Sequence, residues 1–210
     1  AIEPEVKDLI KFLNSLGGKI KIRGRKILIN ECKKIKKNIT HKVIFDRIEA
    51  GTYIIAAALT KGKLKIKNIN PRVMSTEINL LNRMGVNIFK KKNCVIVKRL
   101  KKLKSANVVT KPYPGFPTDL QAQWTALMSV ASGSSVITDE IYLDRFSHVA
   151  ELNRLGAKIH LKNNSAFVKG AQNLIGAPVM STDIRASASL VIAALRADGE
   201  GTIARISHLE

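Results

Sequence analysis

The sequence predicts an α/β fold in which buried helices are enclosed by mixed β-sheets with lysine-rich outer faces. Three observations support this: a segment that recurs along the chain, helical stretches that are apolar on every side, and strands that alternate charged with aliphatic residues. The 210 residues are 45% hydrophobic and 25% charged, which is typical of a globular protein. This length accommodates one large domain, or one domain with a piece of another.

Three similar glycine-containing segments define the repeat. Gly17, Gly85 and Gly156 each follow an asparagine by three residues, and they lie 68 and then 71 residues apart. Each glycine ends an amphipathic helical pattern, as a C-terminal glycine in the left-handed conformation does. Two short strands are predicted after each glycine, for example at 158–162 and 166–169.

Before the second and third glycine segments, the pattern predicts a helix, a strand and then the amphipathic helix. This layout gives helices at 46–60, 118–132 and 182–197, followed by strands at 63–69, 135–141 and 202–206. Residues 50–59 and 186–195 have no polar stripe, so these helices are expected in an interior. The later helices, such as 145–155, carry one apolar stripe and are expected to be partly exposed.

Charge is unevenly distributed along the chain, whose net charge is +20. Residues 1–111 hold 28 Lys and Arg against 7 Asp and Glu, whereas residues 112–210 hold 8 against 9. A basic half can be the footprint of a nucleic-acid binder. However, the lysines of 63–67 alternate with aliphatic residues, which places them on the outer face of a half-buried strand. Since no aromatic residues are interleaved to stack bases, we expect no nucleic-acid partner.

The chain carries no sign of a membrane or export signal. Its longest apolar stretch, 53–59, is too short to cross a bilayer, and the N-terminus lacks the features of a signal peptide. Cys32 and Cys94 show no CxxC or metal-ligand spacing, so we expect buried or half-buried thiols in a reducing compartment. These observations predict a cytoplasmic protein with no membrane partner.

The richest local pattern is the loop 111–117 and the helix start that follows it. Three prolines and a glycine predict a stiff turn that delivers the chain to this helix. Thr118, with Gln121 three residues later, predicts a capping box. Asp119 then falls in the first turn, beside unpaired backbone N–H groups. On the residues alone, a carboxylate that stabilises the helix dipole is the favoured interpretation.

The segment 112–123 resembles the signature of the UDP-N-acetylglucosamine 1-carboxyvinyltransferases, which belong to the EPSP synthase superfamily. Further stretches that agree with this family are 3–6, 45–52, 144–152 and 181–188. The resemblance implies two similar domains, each an inside-out α/β barrel built from repeated βαβαββ units with the helices inside. It assigns residues 1–42 to the C-terminal piece of the first domain and 43–210 to most of the second. The last repeat of the second domain is then truncated. Apolar faces within 182–206 are therefore expected to be exposed, because the elements that would pack on them lie outside the span.

The chemistry that this resemblance implies is transfer of the enolpyruvyl group of phosphoenolpyruvate to the 3-hydroxyl of UDP-N-acetylglucosamine. It is the first committed step of peptidoglycan synthesis. The hydroxyl attacks C2 of phosphoenolpyruvate, C3 gains a proton, and the tetrahedral intermediate expels phosphate. The reaction needs a base near the hydroxyl, an acid near C3 and cations for the phosphates. No cofactor and no metal are implied.

The resemblance also implies the site residues. Asp119 matches the catalytic base, and we expect it to orient the hydroxyl at least as much as it accepts the proton. Ile141 matches a position whose backbone touches the sugar nucleotide. Arg145, Asp183 and Arg185 match charged residues that line the substrate cleft, although ion pairs that only shape its wall are an open alternative for them. The sequence departs from the family at Leu143, where many members have Glu.

Two other functions stay open at the level of sequence. One is the sister reaction that makes enolpyruvyl-shikimate-phosphate, and the other is RNA binding by a protein with related repeats. The family's acid is usually a cysteine on a mobile loop, which neither Cys32 nor Cys94 matches. That acid and the main phosphate ligands are therefore expected outside this span. We expect the remainder of the same enzyme as a partner, and no activity from this span alone.

Overall fold

The computed structural model describes residues 2–32, 34–170 and 172–206. The chain divides into two compact units on either side of the Asp46–Arg47 peptide bond. None of the described helices combines the length and the apolar content that a membrane span requires.

The first unit contains one copy of the predicted helix–glycine–hairpin pattern. Helix α1 (Pro4–Ser15) is followed by the antiparallel strands β1 (Lys19–Arg23) and β2 (Lys26–Asn30). Cys32 lies after the hairpin and is exposed, so the prediction of a buried thiol is wrong there, whereas Cys94 of the second unit is half-buried. The Cys32 thiol lies 3.1 Å from each of two backbone carbonyls, those of Gly17 and Lys34.

The second unit consists of successive repeats of helices and strands. The first repeat contains α2 (Arg47–Leu59), β3 (Lys63–Lys67), α3 (Ser75–Arg83), β4 (Val86–Lys91) and β5 (Cys94–Arg99). The second contains β6 (Val108–Thr110), α4 (Gln121–Val130), β7 (Ser134–Asp139), α5 (His148–Arg154), β8 (Lys158–Lys162) and β9 (Ser165–Lys169). The third contains β10 (Pro178–Met180), α6 (Ile184–Ala194) and β11 (Thr202–Ala204). Short 3₁₀ turns precede α3 and α4, at 71–74 and 118–120. The fold is therefore α/β, as predicted.

Three helices pack together inside the second unit. Helix α4 contacts both α2 and α6, which also contact each other. Every residue of α4 from Gln121 to Ser129 is buried. The interior position predicted for residues 50–59 is confirmed over most of that range in α2, where Tyr53 is the residue left exposed. Helix α6 instead leaves one apolar edge exposed, formed by Ile184, Val191 and Leu195.

The sheets of the second unit are open. Their strand orders are β3-β5-β4, β6-β7-β9-β8 and β10-β11. The pairs β6–β7 and β10–β11 are parallel, because each pair is joined through a buried helix, whereas the hairpin partners are antiparallel. Along β3, Lys63, Lys65 and Lys67 are exposed and the two aliphatic residues between them are half-buried. The predicted lysine-rich outer face is therefore confirmed for this strand.

The repeated asparagine–glycine segment has the same local structure each time. Gly17, Gly85 and Gly156 have φ angles of +106°, +97° and +88°, the left-handed region that favours glycine. Each asparagine accepts a hydrogen bond from the backbone N–H six residues later, namely Asn14 from Ile20 at 2.9 Å, Asn82 from Ile88 at 3.1 Å and Asn153 from Ile159 at 2.9 Å. The side chain thus ties the end of each helix to the first strand after it.

Candidate functional site

The loop that precedes α4 is held by close packing and by backbone hydrogen bonds. The Lys111 N–H donates to the Phe116 carbonyl at 2.9 Å. A Cβ at Gly115 would lie 2.5 Å from the Cβ of Lys111, so only glycine fits this turn. Phe116 packs edge-on against the fully buried Trp124 of α4, with ring centroids 5.1 Å apart. The loop therefore fixes where the chain enters the 3₁₀ turn that carries Asp119.

Two arginines converge on one oxygen of Asp119, Arg145 from the same repeat and Arg185 from the next one. Nη1 of Arg145 lies 2.9 Å from Oδ1. Nη2 and Nε of Arg185 lie 2.8 Å and 3.0 Å from the same oxygen. In the part of the chain that the structure describes, Oδ2 of Asp119 accepts no hydrogen bond, and the side chain is 33% exposed. Asp119 is thus oriented by its ion pairs and presents a free carboxylate oxygen.

Asp139, at the end of β7, links the two loops beside Asp119. Its Oδ2 accepts a hydrogen bond from the Thr118 hydroxyl at 2.6 Å. Its Oδ1 accepts hydrogen bonds from the Thr110 hydroxyl at 2.6 Å and from the N–H groups of Ile141 and Tyr142 at 2.9 Å each. Burial alone would raise the pKa of Asp139, but these four hydrogen bonds outweigh it and lower the pKa. A buried, charged carboxylate therefore fixes the positions of both loops relative to each other.

The predicted capping box at Thr118 is wrong. The Thr118 hydroxyl does not cap the turn, because it donates to Asp139, which lies 21 residues later. Thr118 also accepts a hydrogen bond from Nη1 of Arg145 at 3.1 Å. Gln121 is fully buried, and its side-chain amide has no partner among the described residues. Thr118 thereby connects Asp139 to the arginine that holds Asp119.

The third side of the site is the N-terminus of α6. Oδ1 of Asp183 accepts hydrogen bonds from the N–H groups of Arg185 at 2.8 Å and Ala186 at 3.1 Å, so Asp183 is the N-cap of this helix. Its Oδ2 accepts a hydrogen bond from the Ser147 hydroxyl at 3.2 Å. Burial alone would raise the pKa of Asp183, but these hydrogen bonds lower it. The cap fixes the helix start from which Arg185 reaches Asp119.

The remaining site residues lie on the loop after β7. The Arg145 guanidinium stacks on the Tyr142 ring, with Cζ 4.8 Å from the ring centroid. Ile141 is 45% exposed and its N–H is bound to Asp139, whereas Leu143 is 62% exposed. The structure thus brings Asp119, Arg145 and Arg185 into direct contact. Asp183 is one hydrogen bond away from that group, through the N–H of Arg185, and Ile141 is linked to it through Asp139 and Thr118.

Two buried residues at the site were not identified from the sequence. Asp139 is fully buried, and an acidic residue within the predicted strand 135–141 is the signal that could have found it. His148 is 1% exposed, its Nε2 has no partner among the described residues, and burial lowers its pKa to about 4. No sequence pattern indicated a buried neutral imidazole there, because its environment is formed by several separate elements.

The arrangement has the groups for binding a hydroxyl and an anion. The free oxygen of Asp119 can accept a hydrogen bond from a substrate hydroxyl, and the guanidiniums of Arg145 and Arg185 are N–H donors of the kind that bind an anionic group. Within the described residues, no group of three or more His, Cys, Asp or Glu side chains is placed to hold a metal ion.

Solved structures define the class of fold. The enolpyruvyl transferase NikO from Streptomyces tendae matches 99% of this chain and 50% of its own, with a TM-score of 0.89 and 26% identity. EPSP synthase from Acinetobacter baumannii matches 95% of this chain, with a TM-score of 0.69 and 22% identity. The chain therefore shares its fold with enolpyruvyl transferases.

Sequence comparison gives the family. The sequence profile of EPSP synthase (3-phosphoshikimate 1-carboxyvinyltransferase) matches residues 1–210, so the chain belongs to this family. It is 50% identical to UDP-N-acetylglucosamine 1-carboxyvinyltransferase from Pelagibacter ubique and 48% identical to the protein of that name from Geotalea daltonii, in each case over all 210 residues. The chain spans about half the length of these curated relatives.

Proposed function

We propose that this chain forms one wall of the active site of an enzyme that transfers the enolpyruvyl group of phosphoenolpyruvate to the 3-hydroxyl of UDP-N-acetylglucosamine, with release of phosphate. The observation that carries the proposal is the carboxylate of Asp119, which two arginines hold on Oδ1 while Oδ2 stays free. A fixed carboxylate with one open oxygen suits a group that orients a hydroxyl and accepts its proton.

Each remaining residue has a role in this proposal. Arg145 and Arg185 hold Asp119 and supply positive charge for an anionic substrate group. Asp183 acts by capping α6 and so placing Arg185, and it also borders the substrate cleft. The N–H of Ile141 is occupied by Asp139, so a contact with the sugar nucleotide comes from the carbonyl or the side chain of Ile141.

The names of the relatives support the sugar nucleotide as the acceptor. The two curated relatives named above are UDP-N-acetylglucosamine 1-carboxyvinyltransferases at 50% and 48% identity over the whole chain. The profile that defines the family is described by the shikimate-phosphate reaction, so enolpyruvyl-shikimate-phosphate synthesis is the second candidate. RNA binding receives no support from the relatives.

The proposal extends to the whole enzyme. We assign residues 1–42 to the end of one domain and 43–210 to most of a second, which in the complete protein forms an inside-out barrel around α2, α4 and α6. The packing of these three helices and the parallel β6–β7 and β10–β11 pairs support this arrangement. The enzyme then acts in the cytoplasm, at the first committed step of peptidoglycan synthesis.

The test is a substrate comparison on a full-length protein that contains this chain. Phosphate release is measured with phosphoenolpyruvate and either UDP-N-acetylglucosamine or shikimate 3-phosphate, and RNA binding is titrated separately at moderate salt. We expect release only with the sugar nucleotide, and no salt-resistant RNA binding. Release only with shikimate 3-phosphate would establish the second candidate, and release with neither acceptor would contradict both.

A further inference from the structure

A cavity lies at the C-terminal ends of the internal helices α2, α4 and α6, away from the candidate active site. It has a volume of about 530 Å³, and its walls include Leu59 at the end of α2, Val130 at the end of α4 and Arg196 just after α6. Asp119 precedes the other end of α4, whose ten residues rise by about 15 Å. The cavity is therefore separate from the candidate active site.

The lining of this cavity is strongly basic. The residues that line it are Leu59, Lys61, Arg99, Leu100, Lys101, Lys102, Leu103, Val130, Gln172, Asn173 and Arg196. Five of these are Lys or Arg, and none is Asp or Glu. The acidic group that Arg196 reaches is Asp198, whose Oδ1 lies 4.0 Å from Nη1 and whose side chain is 74% exposed. Such a long, exposed ion pair offsets little of the positive charge.

Arg99 is the lining residue whose surroundings most favour a bound anion. It is only 9% exposed, its Nε has no hydrogen-bond partner, and it forms no ion pair with any described residue. Burial lowers the pKa of Arg99, and the nearby charge of Arg196 lowers it further. A largely buried arginine whose Nε has no partner is costly, and a second cation beside it adds to that cost. Binding of an anion between the two arginines would remove both penalties.

Interaction with helix dipoles explains the position of only some of these basic residues. Cations near helix C-termini interact favourably with the partial negative charge there, about half an elementary charge for each helix. Lys61 and Arg196 follow α2 and α6 and fit that role. Arg99 does not, because it ends strand β5 and its Nε finds no helix carbonyl. Lys101 and Lys102 lie on the loop that follows β5 and add further positive charge.

We propose that this cavity binds a phosphate-bearing small molecule, with its phosphoryl group between Arg99 and Arg196. The forked guanidinium matches the geometry of phosphate oxygens and gives strong, charge-assisted hydrogen bonds. Leu100, which is 62% exposed, and the half-buried Val130 provide apolar surface for the organic part of the ligand. The volume lies in the range of small-molecule sites.

The test is calorimetric titration of the 210-residue chain with inorganic phosphate, pyrophosphate and adenosine monophosphate, at an ionic strength held constant with chloride. The variants are Arg196→Gln, whose side chain is 38% exposed, and Arg99→Met. Lys63→Gln is the control, because it removes the same charge from the exposed face of β3. We expect Arg196→Gln and Arg99→Met each to weaken pyrophosphate binding about tenfold or more, and Lys63→Gln to change it less than about twofold.

These measurements distinguish a specific anion site from the nonspecific attraction of anions to a basic protein. Tighter binding of adenosine monophosphate than of inorganic phosphate would show that the apolar wall takes part, and the reverse order would point to a free inorganic anion. Arg99→Met is also expected to leave the phosphate-free melting temperature unchanged or raised, since it removes an unpaired buried charge. Equal binding by all variants, or no binding above chloride, would overturn the proposal. Neither outcome bears on enolpyruvyl transfer, because no enolpyruvyl substrate is used.

Discussion

At the scale of single residues, the functional character of Asp119 comes from how its two oxygens differ. Oδ1 is held at 2.8–3.0 Å by three guanidinium nitrogens, whereas Oδ2 has no donor among the described residues. The side chain is therefore fixed in orientation and still open to a substrate. A carboxylate that only stabilised a helix dipole would need neither arginine.

Replacing Asp119 by Asn tests this role in a full-length enzyme that contains the chain. Asn keeps the shape and an oxygen for the arginines but removes the base, so turnover is expected to fall on the order of a hundredfold or more. The KM for UDP-N-acetylglucosamine should change much less. Steady-state phosphate release measures both quantities, and Asp198→Asn, at a 74% exposed position, is the matched control. Turnover at the parent rate in Asp119→Asn would refute the assignment.

His148 predicts a pH dependence of stability. Its pKa is about 4 in the folded protein because it is buried, against an ordinary value of 6.5. The unfolded chain therefore binds a proton at a higher pH than the folded one does. Stability is full above about pH 6.5 and falls as the pH decreases towards 4, by up to roughly 3 kcal/mol from this group.

Urea unfolding at pH 7.5 and pH 5 measures this effect, with His148→Leu as the comparison. The variant cannot titrate, so its free energy of unfolding should fall less between the two pH values than that of the parent. Asp139 and Asp183 do not affect this comparison. Their pKa values are lowered from the ordinary 3.8, so the stability that they contribute is lost only below that pH. An equal pH dependence in parent and variant would show that His148 is not the group responsible.

At the scale of elements, the N-terminus of α6 links helix stability to the site. Asp183 accepts hydrogen bonds from two backbone N–H groups, and one of these belongs to Arg185. Asp183→Ala is expected to reduce the free energy of unfolding by about 0.5–2 kcal/mol, whereas Asp183→Asn, which can still cap the helix, should retain most of it. Urea unfolding at pH 7.5 checks the difference, and equal losses in the two variants would argue against a capping role.

At the scale of the whole molecule, the chain holds the acceptor side of the proposed reaction. Enolpyruvyl transfer also needs an acid for C3 and further phosphate ligands. In the described residues, the imidazole closest to the site, His148, is buried and neutral. The chain also spans only about half the length of its relatives. Groups brought together from two walls supply much of the rate in such a cleft.

We therefore expect the 210-residue chain by itself to release no phosphate from phosphoenolpyruvate and UDP-N-acetylglucosamine. The exposed apolar edge of α6 at Ile184, Val191 and Leu195 should also favour self-association. The assay uses protein shown to be folded and monomeric by circular dichroism and light scattering. Sustained phosphate release that depends on the sugar nucleotide would contradict this expectation.

Local rules allowed much of the fold to be predicted from the sequence. The asparagine–glycine segment, the buried residues of α2 and the alternating β3 depend on residues within a few positions of one another, so period and residue type determine them. The resemblance to a family also selected Asp119, Arg145 and Arg185, which the structure then brought together.

Only the tertiary structure decided which partner each polar group of the site takes. Thr118 has a sequence-local partner in Gln121, yet its hydroxyl donates to Asp139, 21 residues away. Asp119 pairs with Arg145 and Arg185, 26 and 66 residues away. A buried polar group must be satisfied by whichever donor or acceptor the packed elements bring near it, and a stronger distant partner displaces a weaker local one. The sequence by itself therefore determined the helices, strands and candidate residues, and the packing of the second repeat against the third determined how those residues form a site.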